Sequence, residues 1–181
     1  MNFPTSFPKQ KQNIQPGLEY EMNPMPIFDD PKYNSCCEVL KDKVAIITGG
    51  DSGIGKAVAI AYAKQGADIV IVYYNEKKDA EDTKKIVDSI GRKCTLIEGD
   101  ISNKDFCNSV IDLTIKEYKK LDILINNSAV QYECKDIKQL PDEQFDKTFK
   151  TNVYGTFYMT KAAMNVLKSG GCIINTTSVV A

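Results

Sequence analysis

The chain has 181 residues, 43% of them hydrophobic, which is room for one domain of ordinary size with its own core. Lys and Arg number 23 against 24 Asp and Glu, and the charges are scattered, so the basic footprint that a nucleic-acid backbone demands is absent. The longest apolar stretches, residues 44–47 and 69–74, are far too short to span a bilayer, and a soluble, cytoplasmic protein with neither membrane nor nucleic acid as partner is expected.

Residues 1–40 hold six of the seven prolines and little periodic apolar pattern, so this segment cannot build a core of its own. It nevertheless carries Phe3, Phe7, Leu18, Tyr20, Met22, Met25, Ile27, Phe28 and Tyr33, more apolar surface than a solvated linker needs. That content predicts an extended arm lying on a globular surface or on a neighbouring subunit.

From Lys41 onward, short apolar runs alternate with longer helical periods. KVAIIT (43–48), DIVIVY (68–73), KCTLI (93–97), LDILIN (121–126) and CIINT (172–176) are continuous rather than alternating, as in strands of a parallel sheet buried on both faces. A first helix has Ile54, Ala57, Val58, Ala61 and Gln65 on one face and stops at Gly66. A second places Ala80, Thr83, Val87 and Ile90 together, and a third opens on the cap Asn103 with Phe106, Val110, Leu113 and Tyr118 inward. A fourth runs from Pro141 through Phe145, Phe149, Val153, Thr156, Thr160, Ala163 and Leu167 to the glycines 170 and 171. The order βαβαβαβαβ predicts an α/β, doubly wound, Rossmann-like parallel sheet of five strands over residues 41–181.

Between the first strand and the first helix lies TGGDSGIGKA (48–57), which three chemistries share in part. GDSG resembles the setting of a serine nucleophile, but the chain has no histidine to take the serine proton, so that reading fails. GxxxxGK is a P-loop only if a hydroxyl residue follows, and Ala57 follows Lys56; the fourth strand also ends in Asn126 and Asn127, with no acid for magnesium, which leaves a nucleotide hydrolase as a lesser alternative. GxxxGxG remains, a dinucleotide turn in which Gly49 allows the tight exit, Gly53 the approach of the cofactor and Gly55 close helix packing, with Lys56 an exposed helix residue. The six cysteines, Cys36, Cys37, Cys94, Cys107, Cys134 and Cys172, form no CxxC pair and have no histidine beside them, so reduced structural thiols and no metal are expected, with Cys36 and Cys37 in a loop.

At this point the chain resembles the short-chain dehydrogenase/reductase family. Thr48 to Gly55 is similar to its TGxxxGxG motif, with Asp51, Ser52 and Ile54 inside it; Asp100, followed by Ile101, looks like the acid set against the adenine ring; and Asn126, Asn127 and Ser128 resemble NNAG, although Ser128 and Ala129 replace its alanine and glycine. TNVYG places Asn152 like the catalytic asparagine and NTTSV places Ser178 like the catalytic serine. The Pro-rich start resembles the subgroup with an N-terminal extension, which includes glucose/ribitol dehydrogenase-like and general stress proteins.

The resemblance implies NAD or NADP as cofactor, a small alcohol or carbonyl substrate and a homo-oligomer, dimer or tetramer. An acid at the tip of the second strand would select NAD; that position is Tyr73, followed by Tyr74, Asn75 and Glu76, which leaves the two cofactors open. Asn152 in a helix interior is a poor helix former whose buried amide needs a partner, a cost that favours a functional site. The family's acid/base pair, a tyrosine with a lysine four residues on, is absent after the fifth strand, and the chain reads as C-terminally truncated, without its last strands. Two expectations follow: an oxidoreductase whose 181-residue portion binds NAD(P) weakly without turnover, or a non-catalytic dinucleotide-binding or assembly module. With the fifth strand as an open edge and the fourth helix unpartnered, instability or self-association is also expected.

Overall fold

The five apolar runs form five parallel strands: β1 (Val44–Thr48), β2 (Asp68–Tyr73), β3 (Cys94–Glu98), β4 (Ile123–Asn126) and β5 (Cys172–Asn175), in the order β3-β2-β1-β4-β5. In this computed structural model residues 5–6, 9–12, 14, 17–30 and 38–178 are described; the expectations for Phe3, Phe7, Tyr33, Cys36 and Cys37 lie outside them. β1 pairs with β2 from Val44↔Asp68 to Thr48↔Val72 and with β4 from Ala45↔Ile123, so the polar ends Thr48, Tyr73, Glu98, Asn126 and Asn175 share one edge of the sheet.

Alternate residues of each strand supply two separate cores, because successive side chains point to opposite faces. Val44, Ile46, Val70, Val72 and Leu124 meet α3 (Lys104–Tyr118) and α5 (Thr156–Met164), whereas Ala45, Ile47, Ile69, Ile71 and Ile125 meet α1 (Gly53–Lys64) and α2 (Lys77–Ser89). Ile46, Ile47, Ile69, Ile71 and Leu124 are fully buried, each side chain contributing about 1.5–3 kcal/mol. Both faces of the doubly wound sheet are therefore covered at its centre. The edge strand β5 departs from the expected burial: Ile173 reaches the core on one side, while Ile174 is 41% exposed because no described helix covers that face.

The helices match their predicted positions, but three of the predicted faces do not hold as expected. In α1 the buried stripe is Lys56, Ala59, Ile60 and Ala63, while Ile54 is 65% exposed and Ala57, Val58, Ala61 and Gln65 are half-buried. The sequence AVAIAYA is apolar nearly all round, so spacing does not choose a face and packing on the sheet does. In α3 the stripe is Cys107, Val110, Ile111 and Thr114, which leaves Leu113 exposed; Asn103 caps the helix as expected, its Oδ1 accepting from the amides of Asp105 and Phe106.

The single fourth helix is a continuous rod that changes geometry midway. α4 (Asp142–Phe149) passes into a π-helical turn, Lys150–Gly155, and then into α5. Its predicted stripe faces outward at Phe145, Phe149 and Val153, which are 55%, 45% and 50% exposed. Among the described residues no helix is long and apolar enough to cross a membrane.

Candidate functional site

Strand β2 lies on one side of β1 and β4 on the other, so the connections leaving their carboxyl ends diverge and open a crevice, the place where open α/β sheets bind ligands. A cleft of about 390 Å³ occupies it. Ten of the predicted residues line this cleft: Gly49, Asp51, Ser52, Gly53, Ile54, Tyr73, Asp100, Ile101, Asn127 and Ser128. The other five do not, and each has a different place.

Thr48 is buried beneath the floor, where its hydroxyl accepts the amide hydrogens of Asn127 (2.9 Å) and Ser128 (3.0 Å) and so ties the tip of β1 to that of β4. Gly55 lets α1 close on the loop: a Cβ there would stand 1.9 Å from the Gly49 carbonyl oxygen. Asn126 donates to Thr160 Oγ1 (3.0 Å) and Asn175 Oδ1 (2.9 Å), holding β4, β5 and α5 together. Asn152 reaches Val130 of the cleft wall rather than the cleft itself; Val130 N–H and carbonyl each bond the Asn152 amide at 2.8 Å. The half-buried amide, expected to need a partner, thus finds backbone, and this pairing sits within the π-helical turn. Ser178 is exposed beyond β5, two residues past Thr176, whose hydroxyl donates to Asn127 Oδ1 at 3.1 Å.

The fate of Lys56 corrects the sequence reading. It is 4% exposed, not a surface residue, and its ammonium pairs with Glu19 Oε1 at 2.5 Å beneath the Phe28 ring. A P-loop lysine must be free for phosphate; this one is held by a carboxylate from the N-terminal arm. Only a contact across 37 residues decides this, and no local signal in the sequence announces it.

The cleft wall is acidic where the sequence suggested no acid. Glu76 lines it at 4% exposure, with Oε2 accepting the Asn75 amide and Oε1 buried without a hydrogen-bond partner among the described residues. Asp51 is 5% exposed, and burial pushes its carboxyl up to about 6, with the nearby Glu76 and Asp79 charges adding to the rise. Asp100 accepts the Ser102 amide at 2.8 Å and faces the same space. Lys147, outside every motif, also lines the cleft, as do Thr151 and Thr176, which lie within TNVYG and NTTSV beside the residues assigned there. They come from segments whose approach is set by the rod and by β5.

A tyrosine with a lysine four residues on does occur here, at Tyr73/Lys77 and Tyr74/Lys78, on the β2 side of the cleft. Tyr73 is unsuited to acid/base work near neutrality: burial and its hydrogen bond to Glu98 push it up to about 12. Buried Cys94 and Cys107 are likewise pushed up to about 12 by burial and are free, as structural thiols are.

The family model for short chain dehydrogenase matches residues 43–181. The chain belongs to the short-chain dehydrogenase family. It is 53% identical over 178 residues to General stress protein 39 of Bacillus subtilis, covering 98% of this chain and 62% of that protein. It is 38% identical over 177 residues to NADPH-dependent aldehyde reductase 1, chloroplastic, of Arabidopsis thaliana, covering 94% of this chain and 61% of that one. The chain thus spans about three-fifths of the length of these relatives. Among solved structures, a short-chain dehydrogenase from Burkholderia cenocepacia in complex with NADP superposes with a TM-score of 0.74 at 30% identity, over 77% of this chain and 57% of that one. The expected family, the Rossmann-like fold and the expectation of NAD or NADP all agree with these findings.

Proposed function

We propose that the cleft holds the adenosine and pyrophosphate end of NAD or NADP, and that the intact protein is an oxidoreductase acting on a small alcohol or carbonyl compound in the cytoplasm. The observation that carries this reading is a cleft at the switch point of the sheet whose wall holds Glu76, with no hydrogen-bond partner for its buried Oε1 among the described residues. Loop residues 49–55 and the N-terminus of α1 would face the pyrophosphate, and Asp100 with Ile101 the adenine. When bound, the dinucleotide supplies the site with a hydride donor or acceptor.

The chain's own residues have more limited tasks. Asn127, braced by Gly49 and Thr176, holds the β1, β4 and β5 tips in register around the cleft. Asn152 shapes the wall through Val130, and Ser178, exposed beyond β5, would hydrogen-bond the substrate oxygen. With its acid/base tyrosine not among these residues, the 181-residue polypeptide binds the dinucleotide but turns over no alcohol or carbonyl. The outward aromatic stripe, including a Phe145–Phe149 ring pair 4.7 Å apart, is where a second copy docks.

Cofactor preference follows from the same carboxylates. A ribose 2′-hydroxyl can donate to Glu76 Oε1; a 2′-phosphate cannot, and it would meet the Asp51 and Glu76 charges as well. NAD is therefore the proposed cofactor, in contrast with the NADP and NADPH that the Burkholderia structure and the Arabidopsis relative carry in their names. Fluorescence titration with NADH and NADPH tests this: NADH binds tighter, and Glu76→Gln narrows the ratio roughly tenfold. A parent chain that prefers NADPH would overturn the preference, and one that binds neither would overturn the function.

A further inference from the structure

The N-terminal arm reaches the glycine loop from the side opposite the cleft. A short 3₁₀ turn, Glu19–Glu21, lies against α1 and α2, and Glu19 is 3% exposed. Asp79 of α2 fastens this turn, its carboxylate accepting the backbone N–H of Glu19 at 2.9 Å and of Tyr20 at 3.3 Å. The Glu19 carboxylate then makes two contacts with the loop end of α1. Oε2 accepts the Gly53 N–H at 2.6 Å, and Oε1 accepts from Lys56 Nζ at 2.5 Å. Farther along the arm, Phe28 covers the Lys56 ammonium at 4.2 Å and Asp29 pairs with Lys64 at 2.7 Å.

The loop needs this support. Gly53 is the first residue of α1 and has φ 52°, in the left-handed region, and a Cβ there would meet nothing within 4 Å. Open space stands beside Gly53, and the N-cap residue Ser52 makes no side-chain capping bond. The first amide of the helix is one of the donors a helix cannot satisfy internally. Here the arm supplies the acceptor. Ser52 and Gly53 form the partition between the cleft and a second hollow beneath the arm, which Gln12, Leu18 and Glu19 line. Burying the carboxylates of Glu19 and Asp79 with the Lys56 ammonium, each under 5% exposed, is unfavourable unless their geometry is well satisfied. All of these charges bear on one turn of backbone.

We propose that Glu19 is a positioning residue for the dinucleotide loop, and that the arm acts as a splint behind it. This rests on the cofactor reading given above. Because Lys56 offsets the Glu19 charge, the pair fixes the turn while adding little net charge beside a pyrophosphate. Glu19 touches neither cofactor nor substrate; it acts through the Gly53 amide and the position of α1.

Electrostatics alone and positioning predict opposite results. In Glu19→Ala the uncompensated Lys56 charge should tighten a dinucleotide if charge dominates, and a loosened loop should weaken it if positioning does. The expected outcome is NADH affinity weaker by about tenfold in Glu19→Ala, with most of it restored in Glu19→Gln, whose amide oxygen can still accept from Gly53. Hydrogen exchange of the unliganded chain is measured alongside: amides of residues 49–56 exchange faster in Glu19→Ala while those of β1 and β4 do not. Asp79→Ala, which frees the turn but leaves Glu19 and Lys56 as a pair, shows the same pattern and serves if Glu19→Ala fails to fold. Unchanged loop exchange in the variants overturns the proposal whatever the titrations show, as does a lower melting temperature with unchanged NADH affinity. A parent chain that binds no dinucleotide overturns the cofactor reading instead, and the exchange data still decide whether the arm splints the loop.

Discussion

Asn152 holds Val130 by both of its backbone polar groups: Oδ1 accepts the Val130 N–H and Nδ2 donates to the Val130 carbonyl, each at 2.8 Å. A planar amide matches a planar peptide edge, so the π-helical turn is fastened to the loop after β4, which forms one wall of the cleft. Asn152→Ala leaves a buried peptide edge unpaired. It should cost about 1–3 kcal/mol of stability and weaken dinucleotide binding as the wall relaxes. Asn152→Asp, which retains the acceptor and loses the donor, should fall between. Thermal unfolding and NADH titration of both variants check this; wild-type stability in Asn152→Ala would show that water replaces the amide at no cost.

The glycines of the loop should respond unequally. Gly55→Ala places a methyl 1.9 Å from the Gly49 carbonyl oxygen, so the loop or α1 must move and dinucleotide affinity should fall by at least about tenfold. Gly53→Ala meets no atom and carries only the left-handed backbone cost, about 1–2 kcal/mol, with a smaller loss of affinity. Equal effects in the two titrations would contradict this ranking.

Asp51 gives the molecule a pH signature. Burial raises its carboxyl from 3.8 to about 6 in the folded chain, so it is protonated in both states below about pH 4 and costs nothing there. As pH rises from 4 to 6 the unfolded chain ionises more readily, and the native state loses up to about 3 kcal/mol, fully lost above pH 6. Asp51→Asn removes the charge, so the variant should gain in melting temperature over the parent as pH rises from 4.5 to 7.5. Dinucleotide affinity should be higher at pH 5 than at pH 8 in the parent, since a neutral Asp51 no longer repels phosphate, and flatter in Asp51→Asn. A parent-minus-variant difference that does not change with pH would refute the assignment.

The exposed aromatic stripe gives a test of assembly. Phe149→Arg should lower the weight-average mass in sedimentation experiments if a second copy covers α4 and α5, and should barely affect unfolding, because Phe149 is already 45% exposed. A parent chain that sediments as a monomer at all concentrations would exclude docking there.

Much of the site was legible locally. Continuous apolar runs mark strands of a sheet covered on both faces, and Gly49, Gly53 and Gly55 mark a loop whose spacing belongs to the turn itself; ten predicted residues duly line one cleft. Faces were less legible. Residues 57–63 of α1 are apolar all round, and the stripe Phe145, Phe149, Val153 has the period of a buried face yet points outward. Periodicity reports that a face is apolar, not which surface covers it.

Local spacing along the chain was enough to determine the parallel α/β fold and the kind of loop at its first crossover, because both depend on the period of side chains and on the conformations glycine permits. Tertiary structure alone decided what the charged residues do. Lys56 has the spacing of a phosphate-binding lysine and the helix position of a solvated one, yet it is buried against Glu19; Glu76 stands three residues past the strand tip, yet it is buried in the wall of the cleft with one oxygen unpaired among the described residues. The free energy of a buried charge depends on which partner stands within hydrogen-bond reach, and that partner is brought there by the fold from dozens of residues away.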